Sequence, residues 1–283
     1  RSRGLGDVYK RQAQLITKGN GPGEMFSCAL GLHSNASDNF YLQDSNSKTC
    51  YIVDLKTLLN SRKFVPDEQF RYSSEVLPTS DLCLLDDNRY IGYHMWYLDD
   101  KQFSKVDSPL GYYQKGEDSG KGMDDFPFFV ASVNGARLFK NPQTQELWTA
   151  DMHRDAIRIY NDSLKQIREL VGPDHFSPEY TRRQIDAPVA FVTFADECDY
   201  HAYTDYYITD KHIYLVYEGN KHFDMKNLSP VEIFKLDFDG NLLCNYKPDR
   251  YVYSISINKK EDTLYCASRS SVMEPPVILK YKL

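Results

Sequence analysis

The densest group of side chains that could do chemistry is the segment ADECDYH at residues 195–201. It holds Asp196, Glu197, Asp199 and His201 within six positions. In an extended strand Asp199 and His201 point to the same side, and a third group from elsewhere in the chain would complete a metal site. The alternative, which we favour, is a solvated loop between two structural units. In that case the four side chains are largely exposed and no complete metal site forms.

A second polar group is ADMHRD, which places Asp151, His153 and Asp155 directly after a strand-like run. It also has the composition of a polar turn that joins two strands. Neither group completes a Ser-His-Asp set, because such triads are recognised by their geometry and not by sequence position. The sequence therefore predicts no catalytic residue and no cofactor.

An aromatic segment, HMWYLDDKQF, offers a different kind of surface. Tyr93, His94, Trp96 and Tyr97 could form a platform for glycan or peptide contacts, since aromatic residues are enriched at binding hot spots. The alternative is that these rings pack between sheets. We expect that packing role for Trp148, whose position in a repeat described below indicates the core.

The six cysteines occur singly, without a C-x-x-C pair or a histidine at zinc-finger spacing. This spacing argues against a structural zinc site. Most of them lie inside strand-like runs. We therefore predict buried thiols that act as small hydrophobic side chains at Cys28, Cys50, Cys83, Cys198, Cys244 and Cys266.

Composition narrows the class of protein. The chain has 283 residues, 34 Lys and Arg, 40 Asp and Glu, and a formal charge of −6. No basic stripe provides the electrostatic surface that nucleic-acid backbones require. The longest apolar run, residues 188–195, is far shorter than the roughly 18 residues of a membrane-spanning helix. We therefore expect neither nucleic-acid binding nor a membrane-spanning segment.

Short runs of aromatic and β-branched residues, bounded by polar clusters, indicate an all-β protein. A two-strand unit recurs five times, for example as NFYLQD with TCYIVDL and as ELWTAD with AIRIYND. The equivalent aromatic residues of the five copies are Tyr41, Tyr90, Trp148, Tyr214 and Tyr265. By subtraction, consecutive ones are 49, 58, 66 and 51 residues apart.

This period fits a β-propeller of four-stranded blades; a sandwich with irregular loops is the alternative. The predicted blades are residues 26–65, 75–116, 127–171, 187–248 and 250–283. The last blade offers only three strands. We expect its fourth strand, or the outer strand of a preceding blade, to come from AQLITK at residues 13–18, because closing a propeller removes exposed edges.

The first twelve residues, RSRGLGDVYKRQ, have no apolar periodicity and look like a translated adapter segment. We exclude them from the fold. The domain prediction is thus a non-native segment at residues 1–12 and a single propeller domain at residues 13–283.

A glycine cluster, KGNGPGEMF at residues 18–26, follows the candidate strand AQLITK. Its glycines and proline favour a rigid crossing between blades, with Glu24 exposed. A phosphate cradle is the alternative, but the cluster lacks the Lys-Ser/Thr pair of a P-loop.

The cluster resembles the G-x-G-P-G-E-F signature of TolB-like six-bladed propeller proteins. The matching positions are Gly19, Gly21, Pro22, Gly23 and Glu24, with Met25 inserted before Phe26. FYLQD, TDKHIYLVYEG and IFKLDFDGNLL extend the likeness along the chain.

The resemblance implies a six-bladed parent of which five blades are visible. It also implies an extracytoplasmic location, with an export signal and often a lipid anchor upstream. The leading functional hypothesis is a non-enzymatic propeller that binds a protein or a glycan or peptide polymer at one end of its channel. The alternative is a metal-dependent hydrolase or lactonase with an axial metal site.

If one blade lies upstream, the chain should be less stable than its parent and prone to association through an unpaired strand edge. We expect the natural upstream segment to raise the melting temperature and to keep the protein monomeric, as measured by thermal unfolding and size-exclusion chromatography. A monomer whose stability the extension leaves unchanged would instead favour a closed five-bladed ring.

Overall fold

The computed structural model describes most of the strand-forming segments of the chain. These are residues 16–19, 21, 24–26, 29–32, 39–44, 46–71, 81–84, 90–93, 103–105, 109–110, 135–176, 180–184, 190–194, 201–220, 228–271 and 273–283. The chain divides into two compact units, Arg1–Pro78 with Val106–Ser108, and Thr79–Lys105 with Pro109–Leu283.

The first unit contains one four-stranded antiparallel sheet and a short parallel pair. The pair is β1 (Thr17–Lys18) with β2 (Glu24–Met25). The sheet has the order β3 (Ala29–Leu32), β4 (Asn39–Asp44), β5 (Thr49–Asp54) and β6 (Glu68–Arg71). Its buried core is formed by Met25, Leu42, Val53 and Leu58.

One helix, α1 (Leu55–Ser61), follows β5 and was not predicted from the sequence. Asp54 caps it by accepting a hydrogen bond of 2.7 Å from the Thr57 amide, which is the standard role of an Asp at this position. Leu58 is its one buried residue. No helix in the described part of the chain is long and apolar enough to cross a membrane.

The second unit contains the remaining sheets, all antiparallel. They are β7 (Asp81–Leu84), β8 (Tyr90–Tyr93), β9 (Phe103–Lys105) and β10 (Pro109–Leu110); β11 (Ala136–Lys140), β12 (Leu147–Asp151), β13 (Ala156–Tyr160) and β14 (Gln166–Val171); β15 (Tyr180–Gln184) and β16 (Ala190–Phe194); β17 (His201–Ile208), β18 (Ile213–Asn220), β19 (Glu232–Leu236) and β20 (Leu242–Tyr246); and β21 (Val252–Ile257), β22 (Thr263–Ser268) and β23 (Val277–Lys282).

The predicted succession of four-stranded units is confirmed, and the last described sheet has the three predicted strands. One detail was wrong. The fourth unit begins at His201 and not at residue 187, because β16 pairs with β15 in a separate hairpin. In AQLITK, Thr17–Lys18 form β1, which pairs with Glu24–Met25 of its own unit.

Neighbouring sheets of the second unit bury their faces against each other. Trp148 and Ile159 of one sheet pack with Tyr203 and Leu215 of the next. Tyr214 and Val216 then pack with residues of β21 and β22. Trp148 is completely buried, which confirms its predicted core position. Its repeat equivalent Tyr265 is 39% exposed, however, on the three-stranded sheet.

The first strands of successive sheets lie side by side, β11 contacting β7 and β17, and β17 contacting β21. Two polar contacts fix this order. Arg137 Nε donates a hydrogen bond of 2.8 Å to the Thr204 carbonyl, and Asp205 accepts one of 2.9 Å from the Ile255 amide. Burial raises the pKa of Asp205, and the hydrogen bond from the Ile255 amide and the charge of Arg137 oppose that rise.

The two ends of these sheets differ. We call the end at which β11, β17 and β21 begin the loop edge, and the opposite end the turn edge. At the turn edge, side chains of Asn141, Asn161 and Asp237 each accept a hydrogen bond from the amide two residues later. This local bonding closes tight turns. The turn edge is therefore occupied by compact, self-bonded connections.

One contact at the turn edge joins two sheets. Glu261, in the turn after β21, accepts hydrogen bonds from Thr209 Oγ1 and from His212 Nδ1 at 2.6 Å, and it lies 3.4 Å from Lys235 Nζ. Burial raises the pKa of Glu261, but the hydrogen bonds from Thr209 and His212 outweigh it and hold the pKa below its ordinary value. A lowered pKa means that the native state favours the charged carboxylate.

Replacing this carboxylate should destabilise the protein in a pH-dependent way. We expect Glu261→Gln to cost about 1.5–3 kcal/mol at pH 7, the usual worth of a hydrogen bond to a charged group, or roughly 3–10 °C in melting temperature. Because the pKa is lowered, this stabilisation is present above the ordinary value of 4.5 and is lost as pH falls through the folded value.

The measurement is thermal unfolding at pH 7 and at pH 4. Asp210→Asn is the matched control, since Asp210 is exposed in the same turn as His212. Equal melting temperatures for wild type and Glu261→Gln at pH 7 would contradict the role assigned to this contact.

Candidate functional site

The loop edge carries the polar side chains that the sequence singled out. ADMHRD joins β12 to β13 there, and ADECDYH leads into β17. The hairpin β15–β16 also leaves from this edge and returns to it, because β14 ends and β17 begins there. Asp81 at the start of β7 pairs with Tyr93, so the backbone of the predicted aromatic segment begins at the same edge.

Asp151, the last residue of β12, is almost fully buried between two arginines. Its Oδ2 atom lies 2.8 Å from Arg154 Nη1 and 3.1 Å from Arg158 Nη2. Burial raises the pKa of Asp151, and the charges of Arg158 and Arg154 oppose that rise. Arg158 also lies 3.4 Å from Glu169. The pair of arginines is thus held in place by carboxylates of its own sheet.

Asp155 has a positioning role. Its carboxylate accepts hydrogen bonds from the amides of Asp174 at 2.6 Å and His175 at 2.9 Å, and from the Tyr203 hydroxyl at 3.2 Å. A Cβ atom on Gly172 would lie 1.8 Å from Asp155 Oδ1, so only glycine fits there. Asp155 therefore ties the connection after β14 to β17 and is not available as a ligand.

Asp174 extends this network by accepting a hydrogen bond of 2.8 Å from the Tyr217 hydroxyl. The rings of Tyr203 and Tyr217 are 5.1 Å apart. Burial raises the pKa of both tyrosines, and their hydrogen bonds to Asp155 and Asp174 add to the rise. Both phenols thus stay neutral donors.

The two predicted polar groups meet through their histidines. The rings of His153 and His201 lie 5.5 Å apart in an edge-to-face arrangement. His201 Nδ1 is 3.7 Å from Glu218 Oε2, and Glu218 Oε1 accepts a hydrogen bond of 2.7 Å from the Tyr251 hydroxyl. Burial, followed by the charge of Glu218, raises the pKa of Tyr251. The loop edge thus joins three consecutive sheets through imidazole, carboxylate and phenol groups.

Sequence reasoning missed Glu218 and Tyr251. A signal for Glu218 exists in three of the five copies. The second strand has an acid near its end, three residues after the aromatic at Asp44 and Asp151 and four residues after it at Glu218. The extra residue coincides with register shifts between β17 and β18. Tyr251 has no such signal, because it precedes its strand.

The remaining predicted residues have a mixed outcome. His201 has a side chain that is 20% exposed, so the prediction of large exposure was wrong for it. Asp196, Glu197, Asp199, His94, Trp96 and Tyr97 lie outside the described residues, and their roles stay predictions. Within the described ranges, no group of three or more His, Cys, Asp or Glu residues could hold a metal ion.

The glycine motif has a structural role. Glu24 is half-buried, in contrast to its predicted exposure, and its carboxylate accepts a hydrogen bond of 2.8 Å from the Gly21 amide. A Cβ atom on Gly19 would lie 2.0 Å from Glu24 Oε2. The Glu24 carboxylate already accepts the hydrogen bond of the Gly21 amide, and its negative charge repels anions. This arrangement argues against a phosphate cradle. Pro22 and Gly23 lie outside the described residues.

The described cysteines fit their predicted role. Cys50 and Cys266 are buried, Cys244 is half-buried, and all three are free thiols. Burial raises the pKa of Cys266 to about 12, which keeps its thiol protonated and unreactive.

Comparison with solved structures supports the fold. The chain is similar to a member of the duf4221 family from Bacteroides vulgatus, with 11% identity, a TM-score of 0.54, and coverage of 96% of this chain and 82% of that one. The extracellular domain of BT4673 from B. thetaiotaomicron matches at 10% identity and a TM-score of 0.44, over 89% of this chain and 28% of that one.

The WD40 β-propeller domain of Doa1 matches at 11% identity and a TM-score of 0.41, over 82% of this chain and 58% of that one. No curated protein matches the sequence.

The model of the TolB-like 6-blade propeller-like family matches residues 8–260. The match runs from β1 to β21 and so includes both compact units. The repeated antiparallel sheets are the blades of a β-propeller, and the chain belongs to the TolB-like 6-blade propeller-like family.

Proposed function

We propose that this chain is a non-enzymatic, extracytoplasmic propeller that binds a protein or a polymeric glycan or peptide at its loop edge. The propeller fold suits a binding or scaffold role, but function has to be argued from a site and not from the fold. The observation that carries the proposal is the difference between the two edges of the second unit.

The edges differ in the length and chemistry of their connections. At the turn edge the longest described connection is residues 141–146, whereas the loop edge has connections at residues 221–231 and 269–276. At the turn edge, Asn141, Asn161 and Asp237 accept local hydrogen bonds, and Glu261 is paired with Thr209 and His212 of the neighbouring sheet. Long connections on a rigid scaffold are the usual place for binding residues. The asymmetry therefore favours the loop edge as the binding surface.

The side chains at the loop edge suit a ligand that presents hydroxyl, amide or carboxylate groups. Arg269 lies over the Tyr253 ring at 5.0 Å, which combines a flat face with hydrogen-bond donors. His153 and His201 add imidazole groups that can donate or accept. Tyr93, His94, Trp96 and Tyr97 would extend this surface, because Tyr93 ends β8 at the same edge.

Family membership supports the proposed location. The TolB-like resemblance implies an extracytoplasmic protein, and a lipid anchor upstream would place the propeller at a membrane surface. A protein or polymer of the cell envelope is then the class of ligand it would encounter.

A single loop-edge substitution should separate this proposal from non-specific adhesion. We expect Arg269→Gln to weaken binding to glycan-array and linear-peptide-array features recognised by the wild type by about tenfold, as for an arginine hot spot. Lys259→Gln, an exposed change at the turn edge, should bind as the wild type does. Equal loss in both variants, or an absence of array binding by the wild type, would contradict the proposal.

The proposal also predicts that binding and stability need no metal ion. We expect the same melting temperature in EDTA, calcium and zinc, because a ligand that binds the native state would raise it. A metal-dependent rise that Asp199→Ala abolishes would favour the metal-dependent hydrolase instead.

A further inference from the structure

A cavity of about 320 Å³ lies between two adjacent sheets of the second unit and extends to Gly172 and Tyr203 at the loop edge. One wall belongs to β13 and β14, the other to β19 and β20. Its lining is mainly apolar and includes Ile157, Leu170, Tyr203, Phe234, Leu236 and Leu242. This volume admits one large aliphatic or aromatic side chain.

The polar side chains in the cavity wall already have hydrogen-bond or ion-pair partners in the protein. Glu232 lies 2.7 Å from Lys247 Nζ and also accepts a hydrogen bond from Asn245. The Tyr203 hydroxyl donates to Asp155. These groups offer no unpaired charge to an occupant. A charged occupant would lose its hydration without compensation, so the cavity is complementary to an uncharged, apolar group.

The strand beside the cavity, β20, has an unusual sequence for an outer strand. Outer strands normally carry charges or proline, which discourage pairing with other chains. Here β6 has Glu68 and Arg71, β14 has Arg168 and Glu169, and β10 begins with proline. Among the four outer strands that the structure describes, only β20, with the sequence LLCNY, has neither.

Two exposed leucines strengthen this contrast. Leu242 is 57% exposed and also lines the cavity, and Leu243 is 52% exposed. The edge of β20 and the cavity therefore form one continuous surface. The β20 edge offers backbone hydrogen-bond donors and acceptors, and the cavity offers an apolar pocket beside it.

We propose that β20 docks an extended, uncharged segment of a partner protein, which pairs along the strand and inserts one apolar side chain into the cavity. Strand addition to an open sheet edge draws affinity from backbone hydrogen bonds and specificity from pockets for alternate side chains. A small apolar molecule would fill the cavity but leave the edge unpaired. An extended peptide satisfies both, because its side chains alternate between the two faces of the sheet and one of those on the inner face can enter the cavity.

The inference rests on β20 and the cavity and not on Arg269, His153 or His201, so it does not depend on the proposed function. A second copy of the chain is the competing occupant, because two β20 strands could pair with each other. The experiment below distinguishes the two.

The probe is a phage-displayed library of random twelve-residue linear peptides selected on the wild-type chain. We expect peptides with a central aromatic or branched apolar residue and no charge at the alternating positions that face the cavity. Leu243→Lys should weaken binding of the selected peptide about tenfold or more, because it adds a charge to the edge. Ile167→Lys is the matched control, since Ile167 is 51% exposed on the already charged β14.

Hydrogen exchange of the wild type provides a readout that does not depend on a variant. The selected peptide should slow exchange of amides in residues 242–246 and leave those of residues 68–71, in the outer strand β6, unchanged. Failure to select any peptide, protection elsewhere, or equal losses in Leu243→Lys and Ile167→Lys would overturn the inference. Self-association of the wild type that Leu243→Lys abolishes, measured by light scattering, would replace the partner with a second copy and equally overturn it.

Discussion

The need to cover both faces of each sheet governs the described part of the second unit. Strands β12 and β18 are buried along nearly their whole length, because their sheets pack against neighbours on either side. Apolar faces covered in this way leave only the sheet ends and the outer strands for contact with other molecules. Polar groups consequently collect at the ends, and the two ends have diverged in chemistry.

Asp155 connects this constraint to the loop edge. It lies at the start of β13, yet its hydrogen bonds reach the connection after β14 and the first strand of the next sheet. The absence of a side chain at Gly172 allows this approach. The backbone of residues 172–176 is therefore fixed relative to β17, which gives the adjoining loop-edge groups a rigid base.

The sequence predicts the sheets well because alternation and aromatic strand starts survive in every copy. Sequence reasoning fails where one sequence pattern is compatible with two different local structures. The run at residues 190–194 lies within the predicted fourth blade, but it pairs with residues 180–184, and an apolar run alone does not identify its partner. Helix α1 is a short segment after a strand, and its main signal is the capping Asp54. Glu24 appears exposed in the sequence because nothing there shows that its side chain turns back onto Gly21.

The candidate site was predictable in its histidines but not in their partners. His153 and His201 stand in visibly polar segments, whereas Glu218 lies near the end of the largely apolar run IYLVYEG and resembles the polar end of a strand. Long-range pairs such as Tyr251 with Glu218 depend on how consecutive sheets pack. A single sequence does not contain that register, and the bulges between β17 and β18 displace it by one residue.

The acid at the end of the second strand shows how one scaffold acquires different surfaces. Asp44, Asp151 and Glu218 occupy comparable places and are all buried, but their partners differ. Asp44 accepts hydrogen bonds from the Asn46 amide and Ser47 Oγ, Asp151 holds two arginines, and Glu218 contacts a tyrosine and a histidine. Three of the five copies thus carry a buried carboxylate here, whereas Tyr93 and Ser268 stand at this place in the other two. The partner of each carboxylate then decides which charge or ring reaches the surface, so specificity has to arise from the differences between copies and not from the repeat itself.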